Sequence, residues 1–385
     1  MLPVTRSATL LVALLACPLM LANAQGPAAQ AIAADSSLWV FEGAALIDTM
    51  LGRRCVRVDG GQATVKGLDL RDAIIDMDVT TPSPRGFFGL LFRGDSTNAE
   101  YVYLRQHKSG RSDAMQYTPV LNTGLNWQLY SGPGFTGAVD IPRNEWFHLR
   151  LEFAGAQGKL FVKDMNAPAL VMTDLKSGVQ RGSVSLAVLT GTTCFADVRV
   201  QPLPDSPWTR HLPAMTAGAL TSWLISASFD ALERNLERPL TAEQVAAMKW
   251  EKVEAEPPGL VPLNRYRESP HPRVTFQRDF STRLDPQPGK RVVFARTEIN
   301  SDRDQVKKLM LGYSDEVVVY LNGQPLYAGR SAQSFRDPEF LGIMDSEDDS
   351  VFLPLRRGKN ELLLAISELG GGWGFIARLV DLTPK

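Results

Sequence analysis

The sequence predicts an all-β protein built from two antiparallel β-sandwiches, the second with a short helical excursion, and three observations carry that reading. From Leu38 to Val200, apolar and polar residues alternate with period two in short runs cut by Gly, Pro, Asn and Asp clusters, and helical periodicity is nearly absent. Gln201 to Pro213 then holds four prolines, too many missing amide donors for a sheet to continue. Past that break the alternation resumes, and the chain without its leader has about 360 residues, more than one hydrophobic core usually serves. The expected division is a leader at 1–24, a first sandwich at 35–202, a Pro-rich linker at 203–216 and a second sandwich at 217–385.

The chain opens with one cation, Arg6, then an apolar run from Ala8 to Leu21, then the small-x-small sequence Ala22-Asn23-Ala24. This reads as a signal peptide cleaved after Ala24, which places the product in the periplasm or outside the cell. Its roughly 14 apolar residues fall short of the roughly 20 that cross a bilayer, and no second such run follows, so no membrane span is expected. Leu15-Ala16-Cys17 resembles a lipoprotein signal only loosely, because Leu15 fits the pattern poorly and Pro18 to Leu21 stay apolar. With 41 basic against 42 acidic residues, no global field favours a nucleic acid or an anionic membrane surface.

Cys55 and Cys194 survive cleavage of the leader, and export permits a bridge between them. Strand parity argues the other way. Cys55 alternates with Arg57 and Asp59, while Cys194 alternates with Ala196, Val198 and Val200, and opposite faces cannot be bridged without a bulge.

The clearest strand is Trp146 to Phe153, where Phe147, Leu149, Leu151 and Phe153 point one way and Trp146, His148, Arg150 and Glu152 the other. In the second half Leu220 to Phe229 reads as a strand, Thr241-Ala242-Glu243-Gln244 followed by Val245 to Met248 reads as a short Thr-capped helix, and Pro257-Pro258-Gly259 ends that excursion. Further strands are expected from Val274, at Arg291–Ile299, Lys308–Gly312, Glu316–Leu321, Val351–Leu355, Glu361–Ile366 and Gly374–Val380. Asn322-Gly323, between Val317–Leu321 and Pro325–Tyr327, is the two-residue turn that right-twisted hairpins favour. No fixed-period repeat points to a propeller or solenoid.

On Val56-Arg57-Val58-Asp59-Gly60-Gly61, Gly89 to Arg93, Ala99 to Arg105, Glu145 to Leu149 and Phe195 to Val200, the first half resembles the concanavalin-like or laminin-G-like sandwich, in its bacterial keto-disaccharide hydrolase-like branch. The second half resembles the galactose-binding jelly roll. That resemblance rests on Ser222 to Ile225, Gly312 to Gly323, Gly358 to Leu362 and Gly371-Gly372-Trp373-Gly374-Phe375. Both resemblances imply carbohydrate association, and neither supplies a catalytic motif that maps onto this chain.

The retaining-glucanase string Glu-x-Asp-x-x-Glu is missing. Asp76-Met77-Asp78 sets two carboxylates on one strand face, without the following Glu, and reads as a solvated edge. Glu347-Asp348-Asp349 reads as a surface loop and as the one place for a structural calcium ion, although the spacing of a known loop is missing; no other cofactor is implied. His107, His148, His211 and His271 have no zinc spacing, there is no Gly-x-Ser-x-Gly elbow, and Gly132-Pro133-Gly134-Phe135-Thr136-Gly137 lacks a following helix.

Ligand chemistry gathers on one expected strand face. Tyr101, Tyr103, Arg105 and His107 alternate with Val102 and Leu104, and Arg93 falls opposite Phe88, Leu90 and Phe92, which points it outward. Rings that stack on pyranose C–H groups beside Arg and amide donors make a sugar platform. Gln116, Tyr117, Asn122, Asn126, Trp127, Gln128 and Tyr130 follow as its rim. Trp373, among Gly370, Gly371, Gly372 and Gly374, is expected at a loop or strand edge, either stacking a sugar or capping the sandwich.

The sequence thus reads as an exported, non-catalytic protein that binds an oligosaccharide or polysaccharide on this face, the candidate ligand residues being Arg93, Tyr101, Tyr103, Arg105, His107, Gln116, Trp127 and Trp373. Two alternatives stand beside it. One is a glycoside hydrolase with an unrecognised carboxylate site, such as Glu100 or Glu145; the other is a structural or protein-binding module of the cell envelope.

Overall fold

The computed structural model describes residues 28–268 and 290–382. The expected signal peptide, His271 and the strand expected to start at Val274 lie outside the described residues.

The first half is an antiparallel β-sandwich. In one sheet Trp39–Met50 pairs with Arg53–Val65, then come the early part of Ser183–Pro202, Phe87–Gly94, Ala99–Arg105 and Met115–Leu121. In the other, the late part of Ser183–Pro202 pairs with Ala73–Thr80, followed by Phe147–Ala154, Gln157–Val162 and Leu170–Met172. Alternation decides what lies between them: Val102, Leu104, Phe88, Leu90 and Phe92 from the first sheet meet Ile75, Met77, Leu149, Leu151 and Phe153 from the second. His148, Arg150 and Glu152 stay half-exposed on the far face, as their parity requires.

Cys55 and Cys194 are joined in a disulfide, their Cα atoms 5.7 Å apart. The parity argument against a bridge fails because the Ser183–Pro202 strand is irregular between Ala196 and Arg199, with Asp197 at φ 48°. That bulge reverses the alternation. Phe195, Val198 and Val200 therefore all enter the main core, while Cys194 and Ala196 lie with Cys55 on the opposite face, beside Met50 and Trp146.

The second half stacks two antiparallel sheets. One has the order Trp250–Glu254, Ser222–Ser226, Arg291–Ser301, Gly358–Ser367, Glu316–Leu321, Gln324–Arg330, and the other Leu260–Pro262, Gly374–Val380, Gln305–Ser314, Asp349–Leu355. Trp223, Tyr313, Trp373 and Phe375 are fully buried between them. The Asn322-Gly323 turn is as expected, with φ of 50° and 79° and Leu321 opposite Gln324. So is the helix, Ala242–Ala246, whose Thr241 side chain accepts from the Gln244 amide while the Gln244 side chain accepts from the Thr241 amide. Its Val245, with Leu240 and Phe229, covers Phe294, Tyr320 and Leu363 on the outer face of the first of these sheets.

The halves meet along a seam. Leu129 and Tyr130 pack with Leu260, Met344 and Ile376. The Gln128 amide donates to Gly371 O (2.9 Å), its side chain donates to Leu341 O (3.0 Å) and accepts from Ser314 Oγ (3.0 Å). A Cβ on Gly372 would lie 2.8 Å from Leu129 Cγ and 3.1 Å from Asn126 Cα, so the seam closes only because this position is glycine. Among the described residues no helix is long and apolar enough to cross a membrane.

Candidate functional site

The tyrosine-bearing strand has the orientation its alternation predicts but not the exposure. Val102 and Leu104 enter the core, and Tyr101 and Tyr103 lie on the other face, yet they are only 3% and 5% exposed. Their rings stack at 4.9 Å and pack with Ala187, Phe87, Leu91, Val120 and Leu125. Arg105 donates to Tyr103 Oη (2.8 Å) and to Asp113 O (2.7 Å), Tyr103 donates to Gln116 Oε1 (2.7 Å), and Gln116 Nε2 donates to the carbonyls of Trp127 (2.8 Å) and Tyr130 (2.7 Å). These groups answer one another. Burial pushes the Tyr103 hydroxyl up to about 12, so it stays protonated and donates.

The expected platform is therefore an anchor: the buried network of Tyr103, Arg105 and Gln116 fixes the 126–130 segment that seats the second half. Trp127 is half-buried, its ring close against Gly371. His107 is half-exposed, packed 4.9 Å from the Phe87 ring, and burial together with Arg85, Lys108 and Arg105 lowers its pKa to about 4.

Two expected ligand residues lie away from any surface. Arg93 does not point outward. It has φ 48° at a register irregularity opposite Ser183–Ser185, is fully buried, and gives Nε to Arg71 O (2.6 Å) and a terminal nitrogen to Asp72 Oδ1 (2.9 Å), between the Phe153 and Trp208 rings. Trp373 stands at the expected loop edge, just before the strand Gly374–Val380, but it is fully buried in the second core, donating Nε1 to Ile366 O (3.2 Å), and offers no ring to a sugar.

Asp76 and Asp78 stand on an interior strand rather than an edge. His148 bridges them, Nε2 to Asp76 (2.9 Å) and Nδ1 to Asp78 (2.7 Å), and Arg150 and Arg53 complete the pairs. Every one of these groups already has a partner in the row. Of the suggested catalytic acids, Glu100 is buried and accepts from Tyr117 Oη (2.7 Å) and from Ser177 Oγ (2.7 Å) and amide (3.0 Å), while Glu145 is exposed.

An open concave surface is found in the second half. Gln324–Arg330 is the outer strand of its sheet, and a cleft of 510 Å³ runs along it. Val318, Ala328 and Ala365 form one cross-strand row of its lining, with Glu316, Arg330 and Ser367 as the next row. Glu316 is ion-paired with Arg330 (3.3 Å) and accepts from Ser367 Oγ (3.3 Å) and Lys290. Asp349 accepts from Tyr313 Oη (2.5 Å) and Arg336 (3.0 Å). Phe335, 48% exposed, presents its ring at the cleft with the Arg330 guanidinium 4.7 Å from its centre. Apolar lining, an accessible ring and charged hydrogen-bonding groups at both margins are what a polar ligand with an apolar face requires.

No protein-family model matches the chain, and no curated protein matches it. Among solved structures, the chain is similar to the carbohydrate-binding module CBM66 from Bacillus subtilis, at 17% identity and TM-score 0.33, over 43% of this chain and 95% of that one. It is similar to a Bacillus subtilis protein of unknown function with a galectin-like fold (13%, TM-score 0.34, 45% and 98%) and to the VIP36 exoplasmic/lumenal domain in its Ca2+/Man3GlcNAc-bound form (13%, TM-score 0.33, 46% and 86%).

Apart from Asp349, singled out only with Glu347 and Asp348 as a place for calcium, the residues of the cleft were not nominated from sequence. Glu316 and Arg330 sit on the two arms of the Asn322-Gly323 hairpin and pair across it, a relation that hairpin register could have revealed. Phe335, Arg336 and Asp349 come together through the irregular 331–348 segment, where spacing gives no guide. Glu347-Asp348-Asp349 is only partly a loop, since Asp349 opens the strand Asp349–Leu355. Among the described residues no group of three or more His, Cys, Asp or Glu side chains is placed to hold a metal.

Proposed function

We propose that this is an exported, non-catalytic carbohydrate-binding protein whose saccharide occupies the edge-strand cleft of the second half, not the tyrosine face of the first. One observation carries the reading: the exposed Phe335 ring lines the same cleft as Val318, Ala328 and Ala365, together with the ion pairs Glu316–Arg330 and Asp349–Arg336. A pyranose has the matching two-sided chemistry, an apolar C–H face for the ring and hydroxyls for the ion pairs. Export is supported by the Ala8–Leu21 run before Ala22-Asn23-Ala24 and by the Cys55–Cys194 bridge, which an oxidising compartment maintains. A glycan array followed by titration calorimetry tests it. Phe335→Ala should weaken binding roughly ten-fold, whereas Tyr103→Phe should leave affinity unchanged. Loss of binding in Tyr103→Phe with Phe335→Ala unaffected would return the site to the first half.

Glu316 and Asp349 both line the cleft, so glycoside hydrolysis is the second reading. Release of reducing sugar from a bound oligosaccharide, abolished by Asp349→Asn, would establish it.

A further inference from the structure

We infer that the cleft selects an acidic saccharide, one bearing a carboxylate or a sulfate ester; this rests on the saccharide reading above. Around the cleft Lys290, Arg330 and Arg336 face Glu316 and Asp349. Glu316 serves two of these cations at once, and Asp348 adds its charge to that of Asp349 beside Arg336, so these three cations are matched by three acids.

A fourth cation, Arg234, lies over the outer face of the same sheet. Arg234 stands over the Phe294 ring at 5.6 Å and the Phe229 ring at 5.7 Å. Phe294, Ala365, Val318 and Ala328 are one cross-strand row, and its last three residues line the cleft. Leu236, two residues beyond Arg234, lines it too. One terminal nitrogen of Arg234 is buried with no hydrogen-bond partner, and among the described residues no acid pairs with this guanidinium. Of the acids on its own excursion, Glu233, Glu237 and Glu243 are exposed, Glu233 accepts from the Asp230 amide, and Asp230 accepts from the Leu232 amide.

A buried N–H left without an acceptor is costly, and a guanidinium satisfies such a group best with a planar or tetrahedral oxyanion. A neutral hexose offers hydroxyls that would leave the Arg234 charge unmatched. A uronate or sulfated sugar would meet it, with the pyranose on Phe335 and its anionic group turned toward Arg234.

Titration calorimetry of the full chain at low and raised salt, with galacturonate and glucuronate oligomers, a sulfated galactan oligomer and their neutral counterparts, tests the inference. The acidic probes should bind at least about ten-fold tighter at low salt, and the preference should shrink as salt rises. Arg234→Gln should remove the preference while the neutral probes bind as before, Arg234→Lys should restore much of it, and both variants should melt like the parent. Preference for uronates alone or for sulfated probes alone identifies which anion is read. Equal affinity for neutral and acidic probes, or an undiminished preference in Arg234→Gln, overturns the acidic selection and leaves saccharide binding intact. Failure of every probe to bind overturns both.

Discussion

Arg93 and Asp72 form an ion pair, 2.9 Å apart, whose side chains are both closed off from solvent in the first half. The place of Arg93 after Phe88, Leu90 and Phe92 assigns it to the outer face, but the irregular register opposite Ser183–Ser185 turns it inside, against Asp72. Bulges of this kind depend on the partner strand, so alternation along one strand cannot reveal them. Asp72 also accepts from the Gly155 amide (3.0 Å) and the Ser206 amide (2.5 Å). It thus ties the start of one strand to a hairpin turn and to the Pro-rich stretch. Asp72→Ala leaves a guanidinium buried without its charge partner and should cost about 3–5 kcal/mol in urea unfolding. Asp72→Leu with Arg93→Met should recover much of that loss, because removing both charges spares the desolvation of each. An Asp72→Ala loss below about 1 kcal/mol would mean that the pair is not sealed from water.

At the scale of elements, period two made most of this fold legible. The strands at Phe147–Ala154, Glu316–Leu321 and Gly374–Val380 and the capped helix at Ala242–Ala246 fall where sequence puts them. What alternation could not give was the covering of a face once the strands were stacked. Tyr101 and Tyr103 show this, since parity chose their side of the sheet correctly, and tertiary packing then removed them from solvent. Their hydroxyl and guanidinium neighbours accordingly serve stability. Tyr103→Phe deletes the group that accepts from Arg105 and donates to Gln116, and should cost about 1–3 kcal/mol. Protection of the 126–130 amides against hydrogen exchange should fall with it. The disulfide shows the same limit. Asp197 at φ 48° reverses the parity of its strand and allows the bridge that the pattern discourages. Replacing Cys55 and Cys194 by Ala opens a link across 139 residues, and the loss should be about 2–5 kcal/mol by denaturant titration. Equal stability of the oxidised protein and this double variant would contradict the pairing.

Over the whole molecule, the two halves are joined by more than a linker, and the junction contains ionisable groups with opposite pH behaviour. Burial raises Asp174, but hydrogen bonds from Arg210 and Lys176 outweigh that and hold it below the usual carboxylate range. Its contribution is present above about pH 4 and is lost on acidification. Asp315 behaves in the reverse sense. It is buried where Leu369 and Gly370 donate their amides to it at 2.6 and 3.0 Å, at the base of the glycine loop that receives Gln128. Burial dominates those donors and raises its pKa to about 7. Between about pH 4, where the carboxyl ionises in the unfolded chain, and about pH 7, the folded protein holds a proton that the unfolded chain has released. Stability from this group is therefore fully present at low pH and declines through that window, by up to about 4 kcal/mol. Asp315→Asn removes the titration and keeps the shape. Urea unfolding of both proteins across the window should show the variant gaining on the parent as pH rises, then running parallel to it above about pH 7. A difference that stays constant with pH would show that Asp315 does not hold its proton, and that the loop at the seam is carried by the charged form instead.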